Sequence, residues 1–139
     1  MFKKNQTPNS FIALSILVLL AACTPAAARP PIQLQGTVQD MVTSAVAACP
    51  TITILGYNYM NIESIGDSFV ACRASATTGV AILGLFGGVT SPDLRLNVAF
   101  SAVTEGVVQT YISSVPRNTD VEDQLETALR TQFSIVSLP

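Results

Sequence analysis

Between Leu94 and Ala102 the chain alternates without a break: Leu94, Leu96, Val98, Phe100 and Ala102 are apolar or small, with Arg95, Asn97, Ala99 and Ser101 between them. Successive side chains of a strand point to opposite faces, so this period of two predicts a strand with one apolar and one open face. Such a strand needs paired neighbours and a second layer to cover its apolar side. Thr104-Glu105-Gly106 predicts a three-residue hairpin loop with Gly106 in the left-handed region. The next strand, 107 to 115, then puts Val108, Thr110 and Ile112 on the face of Phe100. Upstream, segments 57 to 65 and 68 to 75 flank Gly66-Asp67 and predict a second hairpin, and Thr51 to Ile54 either lengthens its first strand or forms its own.

The covering layer is encoded at both ends of this β-rich middle. Val38, Met41, Val42, Ala45, Val46 and Cys49 recur at helical spacing and predict a helix over 37–49, with Thr37 as N-cap, Asp40 in the first turn and Pro50 as the stop. Val121, Leu125, Ala128, Leu129 and Phe133 predict a second helix over about 120–133. There Thr119 and Glu122 fit a capping box, and the acids Asp120, Glu122, Asp123 and Glu126 read as a solvated face. The expected fold class is α+β: a two-layer sandwich of a four-stranded antiparallel sheet and two helices, in the order helix, two hairpins, helix.

Several chemistries are disfavoured by composition. The chain has 139 residues, no His and three Cys, and the Cys form no CxxC pair, so the usual zinc and copper ligand sets and the commonest general base are missing. Nine acids against seven bases give a formal charge of −2 with no basic block, which argues against a nucleic-acid partner. Glu63, Asp67, Asp93 and Glu105 fall at expected turns and strand ends, and Ser68, Ser75, Ser101 and Ser113 have neither a His partner nor a GxSxG context. The expectation is a protein that is not an enzyme and carries no metal or other cofactor.

The N-terminus says where the chain works. Lys3 and Lys4 precede an apolar run, Phe11 to Leu20, which ends in small residues and is too short to cross a hydrocarbon core of roughly 30 Å comfortably; this is the pattern of an export signal. Leu20-Ala21-Ala22-Cys23 resembles the lipobox of bacterial lipoprotein signal peptides. The resemblance implies cleavage after Ala22, a diacylglyceryl thioether on Cys23 and, usually, a further acyl chain on the new amine. Two or three acyl chains anchor firmly where one holds only marginally. Family knowledge of Gram-negative sorting associates Asp after the lipidated Cys with inner-membrane retention; Thr24 occupies that position here, so the resemblance favours the periplasmic face of the outer membrane.

The organisation expected from these readings is a signal peptide over 1–22, a lipidated Cys23 with a Pro/Ala-rich tether over 23–36, and a single α+β domain over 37–139. Extended, Thr24 to Gly36 would reach roughly 40 Å, placing the domain's work near the membrane. Cleavage leaves five arginines against nine acids, so the lipid rather than surface charge must supply membrane affinity. Cys49 and Cys72, exported to an oxidising space, are expected to form a disulfide.

Gly79 to Val89, GVAILGLFGGV, is apolar and uncharged. It either packs under the sheet or forms a contact or lid segment, with Leu83, Leu85 and Phe86 as the residues in question. In element order alone the domain resembles small periplasmic lipoprotein domains and the helix-and-sheet domains of outer-membrane assembly lipoproteins. The functional expectation is a non-catalytic envelope lipoprotein that contacts a protein partner. The alternatives are an apolar-ligand or lipid-binding lipoprotein and, more weakly, a phage-type exclusion or immunity lipoprotein.

Overall fold

The computed structural model describes residues 28–79 and 93–136. Its elements are strand β1 (Ile32–Gln35), helix α1 (Val38–Ala48), a 3-10 turn (Cys49–Thr51), strands β2 (Asn61–Ile65), β3 (Phe69–Ala74), β4 (Leu94–Thr104) and β5 (Val107–Val115), and helix α2 (Thr119–Gln132). The strands form one antiparallel sheet in the order β1-β5-β4-β3-β2.

The α+β class stands, but the sheet has five strands where four were expected. The fifth is β1, from the segment read as the end of the tether. Ile32 and Leu34 alternate with Gln33 and Gln35, and Ile32 pairs with Thr110 as Leu34 pairs with Val108. Four residues behind Pro30-Pro31 are too short a run to stand out from a stalk, and proline is tolerated at the start of an edge strand. The outer side of β1 is covered in turn: Gln35 N–H donates to Ser134 O at 2.9 Å and Val136 N–H to Gln33 O at 3.0 Å.

The alternation along β4 sorts its side chains as the period of two requires. Leu94, Leu96, Val98 and Phe100 are buried, while Arg95, Asn97, Ala99 and Ser101 are exposed. Their buried face meets Val108 and Ile112 of β5, Val70 and Cys72 of β3, and the helix residues Met41, Val42, Leu125 and Leu129, with the buried Thr110 paired to Phe100. Burying an aliphatic side chain of this size contributes about 1.5–3 kcal/mol, so this single core supplies the main driving force for folding.

Ala102 departs from the pattern. A register shift falls between Ala102 and Thr104, and Ala102 is exposed. The turn beyond it is tighter than expected: Thr104 pairs with Val107, leaving Glu105-Gly106 between them, with Gly106 at φ +73°. A second shift, between Ile62 and Ser64, makes Glu63 the extra residue of a bulge on edge strand β2.

Helix α1 starts where its cap predicts: the Thr37 hydroxyl accepts from Asp40 N–H at 3.1 Å. Helix α2 corrects its expected cap. Asn118, not Thr119, is the N-cap, its Oδ1 accepting from Val121 N–H at 3.3 Å. Glu122 is therefore not the return arm of a capping box, and it is not part of a solvated face either: the residue is 2% exposed. Thr51 to Ile54 forms no strand, since Pro50 lies in the first turn of the 3-10 segment and Ile52 turns into the core.

Candidate functional site

The most heavily built polar site lies where the N-terminal segment meets the start of α2. Acidic side chains favour the first turn of a helix because the dipole is positive there, and Asp120 and Glu122 occupy it; one turn further on, Asp123 and Glu126 share one side of the helix at i, i+3 spacing. Arg29 enters between them. Its Nη1 donates to Asp123 Oδ1 at 2.7 Å, and its Nη2 donates to Glu126 Oε2. Glu126 also pairs with Arg130 one turn later. Partial burial works against the charge on Arg29, but its hydrogen bonds to Asp123 and Glu126 and their negative charges outweigh this and raise its pKa above the usual arginine value. Charge-assisted bonds of this kind are stronger than neutral ones, and the rigid guanidinium suits a two-carboxylate grip.

Below this clamp lies Glu122. Its Oε1 accepts from the Ser114 backbone N–H at 2.9 Å and from the Ser114 hydroxyl at 2.7 Å. The same hydroxyl accepts from Asn118 N–H at 2.7 Å, so one serine joins the end of β5 to the cap and first turn of α2. Glu122 Oε2 is buried without a hydrogen-bond donor among the described residues and lies 3.8 Å from Arg29 Nη1. A signal for this junction exists in the sequence. Ser114 continues the inward series Val108, Thr110, Ile112, and a polar residue at an inward position calls for a polar partner from the opposite layer.

Two clefts share this end of the sheet. One, of about 290 Å³, is lined by residues that include Ala28, Arg29, Tyr111, Ser114, Arg117 and Glu122. The other, of about 370 Å³, is lined by Arg73, Asp93, Arg95, Val115 and Pro116. In the second, Arg73 Nε donates to Asp93 Oδ2 at 2.8 Å, and Glu63 lies 3.6 Å from Arg73 and 3.4 Å from Arg95. The hydrogen bond from Arg73 to Asp93 leads the causes that raise the Arg73 pKa, followed by the charges of Asp93 and Glu63. These pairs are exposed, where ion pairs contribute little stability. Glu63 and Asp93, both expected at turns or strand ends, thus converge on an arginine.

Cys49 and Cys72 are brought together as expected. They form a disulfide with a Cα–Cα distance of 6.4 Å across 23 residues, and both are fully buried. It ties the end of α1 to β3. Cys23, the expected lipidation site, lies outside the described residues, as do Leu83, Leu85 and Phe86. Gly79 and Asp93, near the two ends of the latter segment, are described. Among the described residues no group of three or more Cys, Asp or Glu could hold a metal ion, and no helix is long and apolar enough to cross a membrane. No family model, curated protein or solved structure matches the chain, so its chemistry has to be read from its own residues.

Proposed function

We propose that this protein is a non-catalytic, lipid-anchored envelope protein that holds a small α+β domain close to the membrane for contact with a protein partner. The observation that carries the reading is Leu20-Ala21-Ala22-Cys23 at the end of an apolar run. The polar groups of the clamp hold one another through ion pairs and hydrogen bonds, an arrangement suited to fixing the chain. A disulfide between α1 and β3 suits an exported chain. Leu83, Leu85 and Phe86, in the apolar segment between β3 and β4 and outside the described residues, are either core or a contact or lid segment, with Leu83 read as core and Phe86 as the residue nearest the surface.

The apolar-ligand alternative has less support. Met41, Met60, Leu96 and Leu125 fill the space between sheet and helices, each no more than 1% exposed. The deciding experiment is crosslinking in intact envelope membranes followed by pull-down of the lipidated chain. An envelope protein recovered with wild type but not with the Leu85→Ser/Phe86→Ser variant supports the adaptor reading. Recovery equal to that of an unlipidated Cys23→Ser control counts against it.

A further inference from the structure

The clamp at Arg29 shortens the tether. If Cys23 carries the lipid, as proposed above, five Cα steps separate it from Ala28, so the described chain begins within about 18 Å of the anchor instead of the roughly 40 Å that a free stalk to Gly36 would allow. Strand β4, with 11 residues, is itself about 36 Å long, so the reach of the tether is half the length of the sheet. The end of the sheet near Ala28 must stay close to the bilayer.

Register identifies what else lies at that end. Ala28 shares a cleft with Ser114, Val115 pairs with Arg95, and Ala74 pairs with Leu94. The loop over 52–60 belongs to the same end. Thr53 is bonded in both directions to Gln124, the neighbour of Asp123, and Asn58 N–H and Thr77 N–H each close a 2.9 Å bond between this loop and the chain after β3. This loop carries Leu55, fully exposed, and Tyr59, 78% exposed. Four of the five arginines that remain after cleavage, Arg29, Arg73, Arg95 and Arg117, line the clefts here. Glu63, Asp93, Glu122, Asp123 and Glu126 are each engaged by at least one of them, Glu63 by both Arg73 and Arg95, and Asp120 sits in the favourable first turn of α2.

We infer that this end of the sheet, with Leu55 and Tyr59 at its tip, is a membrane-facing surface that seats in the phospholipid headgroup layer of the bilayer carrying the anchor. An aliphatic and a tyrosine side chain held out in water gain by moving to the interface, and the arginines there, already paired with carboxylates, temper the acidic charge that would face the headgroups. Apolar burial of two side chains does not bind a membrane alone; the lipid supplies the affinity, and the tip fixes the orientation.

The chain has no Trp, so single-tryptophan reporters test this directly. Full-length lipidated Leu55→Trp, Tyr59→Trp and, at the opposite hairpin, Val103→Trp are placed in phosphatidylethanolamine/phosphatidylglycerol vesicles containing a brominated lipid. The first two should be quenched at least about twofold more than the third, as expected for residues a few ångströms into the headgroup boundary. Arg29→Ala in the same background should shrink that contrast. Equal quenching at all three positions overturns the proposal, and so does a Leu55→Trp signal that ignores brominated lipid yet becomes shielded from aqueous iodide in envelope membranes, which would assign the tip to a protein. The mass of the N-terminal peptide separates the failures: an unmodified Cys23 removes the lipid reading and the orientation with it, whereas a lipidated Cys23 with no contrast removes the orientation alone.

Discussion

Arg29 Nη1 meets Asp123 Oδ1 at 2.7 Å across 94 residues of chain, and this contact fastens the N-terminal segment to the last helix. It makes the segment ahead of β1 a built part of the fold. Replacing Arg29 by Ala should cost about 1–3 kcal/mol, since charge-assisted bonds to two carboxylates are lost and Glu126 and Glu122 keep their partly or wholly buried sites. Arg29→Lys should recover less than half of that loss, because an ammonium cannot reproduce the two-pronged geometry. Urea unfolding of the three proteins side by side provides the measurement; a Lys variant as stable as wild type would show that charge alone suffices.

Glu122 should behave as a structural residue. Glu122→Ala leaves the buried Ser114 N–H without its acceptor, at a cost of about 1–3 kcal/mol. Glu122→Gln keeps an oxygen in that position and should lie between Ala and wild type. Hydrogen exchange at the Ser114 amide should accelerate in Glu122→Ala and much less in Glu122→Gln, and unchanged protection in both would refute the assignment.

The domain purified from an oxidising compartment should show no titratable thiol from Cys49 or Cys72 until it is reduced. Reduction should lower stability by about 3 to 4 kcal/mol on the chain-entropy account of a loop of this length. Thiol counting under denaturing, non-reducing conditions followed by chemical unfolding checks both statements.

Replacing Cys23 by Ser should abolish palmitate incorporation and leave an unprocessed precursor in the membrane fraction. Label surviving in that variant would remove the lipoprotein reading altogether.

For the apolar segment between β3 and β4, the Leu85→Ser/Phe86→Ser variant should keep its melting temperature within a few degrees while losing partner recovery. A contact surface carries binding energy without carrying fold stability, whereas truncating a core Leu or Phe costs about 2 to 5 kcal/mol. A drop of ten degrees or more would reassign the segment to the core.

Much of the fold was legible because its signals are local. The Leu94 to Phe100 alternation, the Gly106 turn, the Thr37 cap and the two apolar helix stripes each depend on residues within one or two turns or one strand face. Glu122 shows the limit. Three residues after Thr119 it has the spacing of a capping-box residue, and the helix pattern alone does not reveal that Ser114 waits beneath it at the end of β5; only the inward series Val108, Thr110, Ile112 hints at that partner. Local pattern fixes which stripe of a helix is apolar; it leaves open which polar residue at the margin of that stripe is drawn inside by a partner from another layer.

The amino-acid order by itself determined the α+β class, the helix positions, both hairpins and the presence of two cysteines able to bridge, because backbone propensity and hydrophobic period are properties of neighbouring residues. Tertiary structure decided the rest. Whether Ile32–Gln35 is stalk or strand depends on β5 having a free edge for it, and whether Arg29 is solvated or clamped depends on Asp123 and Glu126 arriving beside it. Both outcomes turn on contacts between residues 72 to 97 positions apart, which sequence period does not encode and only the packed layers bring within reach.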